Sequence, residues 1–335
     1  MRRVGIIGAG RIVENAHLPV LRSLSAVQVA WITDANPERA RHLHRMYRVR
    51  PVQLNELHQH LKDVDVCLLA TPVGNRHEHL AACAEAGVAV YCEKPFARTL
   101  AEHREFSQRF TPERLAAGFQ RRFYSGIQAV RRSVSSQEHG ALIEVRLFAG
   151  SFDLKSGGIR FTGDARLAGG GVVIESRIHE LDQVVFATGA SRVITDAAAG
   201  IVSHGIEFHC DTQGRLEAGC RSIPVSCVMT RLRNLRERIE FVFEGGIVTL
   251  GLKAHSVPRL NDVVVPTPDG YATTIIGGFR CFWDAFLRAL DEGCRNETSA
   301  IDSRLTTEWV EGIYESMRGL KASPSRHAVA AAAGP

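Results

Sequence analysis

Residues 4–10, VGIIGAG, run four residues of apolar chain into two glycines one residue apart. A short apolar run that stops at glycine reads as a buried strand entering a tight turn. The unit recurs as VQVAWITD (27–34), VDVCLLATP (64–72) and VAVYCEKP (88–95), with helical stretches such as PERARHLHRMY (37–47) and HEHLAACAEAG (77–87) between them. Alternation at this spacing predicts parallel βαβ units, a doubly wound sheet filling residues 1–120.

From about residue 140 the pattern changes. Longer strand-like runs follow, ALIEVRLFAGSF (141–152), VITDAAAGIVS (193–203), SIPVSCVMTRL (222–232) and RIEFVFEGGIVTLGL (238–252), then helical stretches at FWDAFLRALDEG (282–293) and TTEWVEGIYESMRG (306–319). These predict an open, predominantly antiparallel sheet with helices on one face over residues 121–320. The segment 321–335, rich in alanine, lacks a core face and is expected to be disordered.

With 335 residues, of which 45% are hydrophobic and 23% charged, there is room for two such cores. No apolar run approaches the ~20 residues of a membrane span, and the N-terminus enters a strand pattern without a signal-peptide cleavage site, so a cytoplasmic protein is expected. Eight cysteines without a CxxC pair or a Cys/His cluster read as reduced thiols, and no metal is expected. The net charge of +5 is mild, and the basic run RLRNLRER (231–238) reads as a solvated strand edge rather than a nucleic-acid patch.

The turn after the first strand carries chemistry. Gly8 and Gly10, with Arg11 and Ile12 opening the next helix, permit close approach to a pyrophosphate, which then rests on free helix N–H groups. Val13 stands at the third glycine position of the usual fingerprint. Asp34 ends the second strand, where an acid accepts hydrogen bonds from ribose hydroxyls; Arg39 beside it would soften a preference for NAD over NADP. Thr71 and Pro72, followed by Asn75 and His77, end the third strand, and Glu93 and Lys94 end the fourth. Strand C-termini in an open parallel sheet face the ligand crevice, so all of these are candidates for holding a cofactor.

One later stretch, GGGVVIESRIHELDQVVF (169–186), places Glu175, His179 and Asp182 at i, i+4 and i+7. On a single helix they share a face, and that face is either solvated or catalytic.

GAGRIVENAHLPVL, DANPERA, ATPVGNRHEHLAACAEAGVAVYCEKPFARTLAE, GFQRRF, GGGVVIESRIHELD and EGIYESMRG occur in this order over residues 4 to about 320. Together they resemble the glucose-fructose oxidoreductase/inositol dehydrogenase/MocA family. The resemblance implies an N-terminal Rossmann domain and a C-terminal open-faced sheet that often builds the oligomer, here a homodimer or homotetramer. It implies that Lys94 hydrogen-bonds the reacting hydroxyl, that His179 moves the proton, and that Asp182 contacts substrate hydroxyls or the histidine. Glu175 stands where related members carry Asp, and Arg177 where many carry glycine; both departures bear on substrate shape.

A secondary alcohol becomes a ketone when a hydride leaves its carbon and a base takes its proton. Histidine suits the proton, lysine the alkoxide, and a carboxylate one turn back at Glu175 is expected to fix the imidazole's tautomer. The expected activity is therefore NAD-dependent, or NADP-dependent, oxidation or reduction of a sugar, sugar derivative or cyclitol. Arg122, Lys155, Arg160 and Arg166 are candidate phosphate contacts should that substrate be phosphorylated, and Arg122 stands among the substrate-binding candidates with Lys94, Glu175, His179 and Asp182. The alternatives are a reductase of an imine or cyclic diol on the same fold, and a non-catalytic regulator that binds the dinucleotide.

Overall fold

The computed structural model describes residues 1–153, 161–295 and 297–321. Lys155 and Arg160, and all but the first residue of the expected disordered tail, lie outside them.

Five strands, β1 (Arg2–Ile7), β2 (Val27–Thr33), β3 (Val66–Leu69), β4 (Ala89–Glu93) and β5 (Leu115–Gly118), form an all-parallel sheet in the order β2-β1-β3-β4-β5. All residues of β3, β4 and β5 are buried. A strand covered on both faces has no reason to alternate, which is why VCLL and AVYC are continuous apolar runs. The order reverses between β1 and β3, and their C-terminal ends open the crevice where ligands bind in such sheets. Local signals agree with the connections: Asn36 caps helix Pro37–Tyr47 by accepting from the Glu38 N–H, Pro37 opens it, and Arg48 closes it at φ 58°.

The second sheet has eight strands: β6 (Leu142–Gly150), β7 (Arg192–Ser203), β8 (Ile206–Ala218), β9 (Arg221–Thr230), β10 (Arg238–Phe243), β11 (Gly246–Gly251), β12 (Arg259–Leu260) and β13 (Val263–Val264). Their order is β13-β12-β11-β10-β6-β9-β8-β7, antiparallel except where β6 runs alongside β9. Helices Ser125–Ser136, Ile178–Thr188 and Arg304–Lys321 cover one face, the last lying along β7.

One helix departs from the sequence reading. Ile275–Glu292, expected on the second sheet, packs Phe279, Phe282, Trp283, Phe286 and Leu287 into the core of the first, among Val4, Ile6, Val13 and Tyr91. Tyr91 stacks on Trp283 at 4.7 Å and tilts against Phe282 at 4.4 Å. At about 1.5–3 kcal/mol per buried large side chain, this aromatic face decides where the helix goes. Amphipathic periodicity shows that a helix has an apolar face; it does not show which sheet that face meets.

Candidate active site

A cleft of about 830 Å³ opens at the C-terminal ends of β1, β3 and β4, and Gly10, Arg11, Ile12, Asp34, Arg39, Thr71, Pro72, Asn75, Glu93, Lys94, Glu175 and His179 all line it. A contiguous hollow of about 380 Å³ shares Asp34, Thr71, Pro72 and Asn75 and adds Gly8 and His77. The structure thus gathers residues as far apart as Gly8 and Phe279 around one crevice. Volume of this order suits a dinucleotide with a small second molecule beside it.

The glycine turn fits a dinucleotide on steric grounds. Gly8 has φ +101°, and a Cβ there would stand 2.7 Å from the Ala70 carbonyl oxygen, so the turn is pressed directly onto the end of β3. At Gly10 a Cβ would meet nothing within 4 Å, which leaves backbone open toward the cleft. Val13, at the third fingerprint position, is fully buried in a π turn, Val13–His17, in place of regular α-helix. The Asp34 carboxylate receives the Ala9 N–H at 2.6 Å on one oxygen and the Asn36 N–H at 2.8 Å on the other. It therefore stitches the glycine turn to the second strand while still facing the cleft with its remaining lone pairs.

Lys94 follows β4, and its ammonium donates to the Glu175 backbone carbonyl at 2.8 Å. The loop beneath it is held by Arg76, a buried arginine whose guanidinium donates to the carbonyls of Thr71 and Pro95. Sequence reading gave Arg76 no role; a charge within a helix-like run offers no signal that its partners are carbonyls from two different loops.

The stretch 169–186 is not one helix. A π turn, Val172–Ser176, ends at Arg177 (φ −111°, ψ 8°), and an α-helix, Ile178–Thr188, starts anew. The glycines make this entry feasible: at Gly171 a Cβ would stand 2.2 Å from the Glu207 carbonyl oxygen, and the Glu207 carboxylate accepts from the N–H groups of Gly171 and Val173. Because the helical phase breaks at Arg177, Glu175 is not stacked one turn below His179. Its carboxylate accepts from the Ser176 hydroxyl at 2.8 Å and pairs with Arg231. The expectation that Glu175 fixes the imidazole is corrected: His179 Nδ1 is buried with no hydrogen-bond partner in the structure. Arg231, the first residue of the run read as a solvated edge, is 3% exposed. Its partners lie in a turn some 55 positions upstream, beyond what local composition registers.

His179 stands edge-on to Phe119, with ring centroids 5.9 Å apart. Burial, reinforced by Arg121 and Lys94, holds its imidazole well below the usual histidine range. The ring is therefore neutral at physiological pH and ready to accept a proton.

Arg122 and Asp182 are a second correction. Both are buried, joined by two hydrogen bonds of 2.8 and 2.6 Å, with Thr306 also donating to Asp182 and Arg122 donating to the carbonyls of Glu297 and Asp302. Neither reaches the cleft. Every residue of helix Ile178–Thr188 is buried, so its polar positions needed internal partners and Asp182 found one on the side away from the crevice. Arg177 likewise turns to Glu237 at 2.7 Å and Ser151 at 3.0 Å. Arg166 is exposed and pairs with Asp164. Thr162 and Gln120 also line the cleft without a role in the sequence reading, and the buried Oε1 of Gln120 has no partner in the structure. Gln120 lies in GFQRRF, where the resemblance alone drew notice.

The family model described as "Oxidoreductase family, NAD-binding Rossmann fold" matches residues 2–115. Inositol 2-dehydrogenase of Burkholderia lata is 29% identical over 202 residues, 58% of this chain and 56% of that protein. D-glucoside 3-dehydrogenase of Escherichia coli is 28% identical over 254 residues, 74% and 69% of the two chains. The chain thus spans little more than half the length of the first of these relatives. In fold, the WlbA dehydrogenase of Bordetella pertussis, solved with NADH and UDP-GlcNAcA, superposes with a TM-score of 0.82 at 21% identity, covering 95% of this chain and 96% of its own. Residues 2–115 thus match the NAD-binding Rossmann portion of the Gfo/Idh/MocA oxidoreductase family, and the relatives similar to the longer chain are named as dehydrogenases of inositol and of a glucoside.

Proposed function

We propose that this protein is an NAD(P)-dependent dehydrogenase or reductase that interconverts a secondary alcohol and a ketone on a sugar, sugar derivative or cyclitol. The observation that carries the reading is the meeting of Lys94, from the end of β4, and His179, from helix Ile178–Thr188, in the same cleft as the glycine turn and Asp34. Gly10, Arg11, Asp34, Arg39, Thr71 and Asn75 would hold the dinucleotide, and its nicotinamide supplies hydride acceptance or donation.

The chain's own residues then do three things. Lys94 donates a hydrogen bond to the reacting oxygen and stabilises the negative charge that grows there. Neutral His179 takes the hydroxyl proton, and a buried imidazole that disfavours its charged form returns it readily. Gln120 and Thr162, with the Glu175 side of the cleft, position the ring. Asp34 disfavours a 2′-phosphate, so NAD is the preferred dinucleotide. An NAD(P)H absorbance screen over inositols, aldoses, sugar phosphates and nucleotide sugars tests the reading. Turnover on one of these classes supports it, while dinucleotide binding without turnover on any would favour a regulator.

Assembly belongs to the same reading. Helices cover one face of the second sheet, so the other face is available to a second copy, and a homodimer or homotetramer is proposed. Light scattering showing a monomer at micromolar concentration would contradict it.

A further inference from the structure

Three buried side chains behind the Lys94 loop form a connected line that the reaction as described does not use. The indole N–H of Trp283, on helix Ile275–Glu292, lies 3.1 Å from Nδ1 of His17. An indole can only donate, so Nδ1 presents its lone pair and the ring proton resides on Nε2. Nε2 is 2.8 Å from Glu93 Oε1, which accepts that proton's hydrogen bond. The other oxygen, Oε2, accepts from the Lys94 backbone N–H at 3.0 Å. His17 is completely buried and Glu93 is 6% exposed. Tyr91 and Phe279 press the imidazole edge-on, with ring centroids at 5.0 and 4.8 Å.

We propose that Trp283 and His17 are positioning residues: they fix the Glu93 carboxylate and, through it, the orientation of Lys94. The inference rests on the reading of Lys94 given above. Glu93 is the chain neighbour of Lys94, and a carboxylate free to rotate would compete for the ammonium. With one oxygen held by His17 and the other by the Lys94 backbone, the carboxylate is turned back into the protein, and the ammonium is tied to the Glu175 carbonyl alone among the hydrogen bonds seen. The line also explains a placement the fold required: helix Ile275–Glu292, 266 residues from His17, reaches the first sheet with a donor as well as an apolar face.

The test compares His17→Leu, His17→Gln and Trp283→Phe with Lys94→Ala in the full-length protein. Loss of the donor in His17→Leu is expected to lower kcat roughly tenfold, the scale on which lost outer-shell partners act, with NADH affinity by fluorescence little changed. His17→Gln restores an N–H toward Glu93 and is expected to recover most of that loss. A merely structural histidine would give the opposite pattern, lower Tm and parent-like kcat in His17→Leu, and that result overturns the inference. Should His17→Leu fail to fold, Trp283→Phe keeps the packing and removes only the indole donor, and parent-like kcat there overturns it equally. Independently of turnover, 15N-histidine NMR is expected to show the signal that disappears in His17→Gln as the tautomer protonated on Nε2; protonation on Nδ1 refutes the line. If Lys94→Ala is itself parent-like, the functional reading falls together with the inference; if Lys94→Ala is damaged and His17→Leu is not, the inference falls alone.

Discussion

Lys94 reaches the cleft from the end of a strand and His179 from a helix, and they are held in contrasting ways. The lysine leaves the end of β4 on a loop clamped from both sides, by Arg76 on the carbonyls of Thr71 and Pro95 and by Glu93 on its own backbone N–H. The histidine sits one residue into a helix that restarts after a π turn, pressed by Phe119 and with Nδ1 unpartnered. One group is fixed through its backbone, the other through burial. A cation that must stay charged needs hydrogen-bonded surroundings; a base that must stay neutral needs a dry one.

Removing either group gives the largest effect that this contrast predicts. Lys94→Ala and His179→Ala are each expected to lower kcat by about 10²–10⁴ while leaving dinucleotide affinity nearly unchanged. The double variant is expected to be far less than multiplicatively worse, because on the proposed reading the two would act on one hydroxyl group. Steady-state kinetics with a substrate from the screen checks both. Turnover within a few-fold of the parent would mean that the cleft does not use them.

How much of this site was legible in the sequence follows from which residues owed their place to local geometry. Lys94 was legible because a residue ending a parallel strand has nowhere to point but the crevice, and Gly8 because only glycine tolerates φ +101° against Ala70. Glu175 was misread because i+4 spacing describes an uninterrupted helix, and the phase shift at Arg177 is a tertiary event fixed by Glu207 from β8; Asp182 shares the helix of His179 and was misread because its partner, Arg122, lies 60 positions upstream. Arg231 and His17 were missed because their partners lie tens of positions away. Spacing shows which residues can share a face; it is silent on what stands opposite.

The second prediction separates Asp182 from Lys94 and His179. Arg122→Met leaves the Asp182 carboxylate buried with only Thr306, and breaking a buried pair in this way costs about 3–5 kcal/mol. Urea unfolding is expected to show that loss, with kcat of the folded fraction within a few-fold of the parent. Full stability with damaged kcat would return Arg122 to the substrate site.

pH gives a third, smaller test, since His179 and His103 both lie low. His103 donates from Nε2 to the Ala300 carbonyl and accepts from the Thr307 hydroxyl on Nδ1, and burial holds its pKa down at about 4, against 6.5 for the free group. The unfolded chain therefore takes a proton that the folded chain refuses, and stability falls as pH drops from 6.5 toward 4, by roughly 3 kcal/mol from His103 alone. In His103→Gln that part of the urea-midpoint slope is expected to flatten. For His179 the same direction puts the acid limb of the oxidation rate well below pH 6.5.

The smallest effect is the one that decides between the two readings of residues 169–186. If Glu175 were the orienter of His179, Glu175→Gln would change the imidazole's surroundings and move the acid limb of the pH–rate profile. The structure gives that carboxylate to Arg231 and Ser176, while the groups acting on His179 are burial, Arg121 and Lys94. Lys94 is anchored to the Glu175 backbone carbonyl, which the substitution leaves in place. Glutamine also retains an oxygen for Ser176, though Arg231 loses its counter-charge at 3% exposure. The expected outcome is a destabilised enzyme, by roughly 1–3 kcal/mol for a buried cation stripped of its charge partner but keeping hydrogen bonds, with kcat reduced less than about tenfold and the acid limb unmoved. A shifted limb at unchanged stability would show that the carboxylate turns from Arg231 to His179 once substrate is bound.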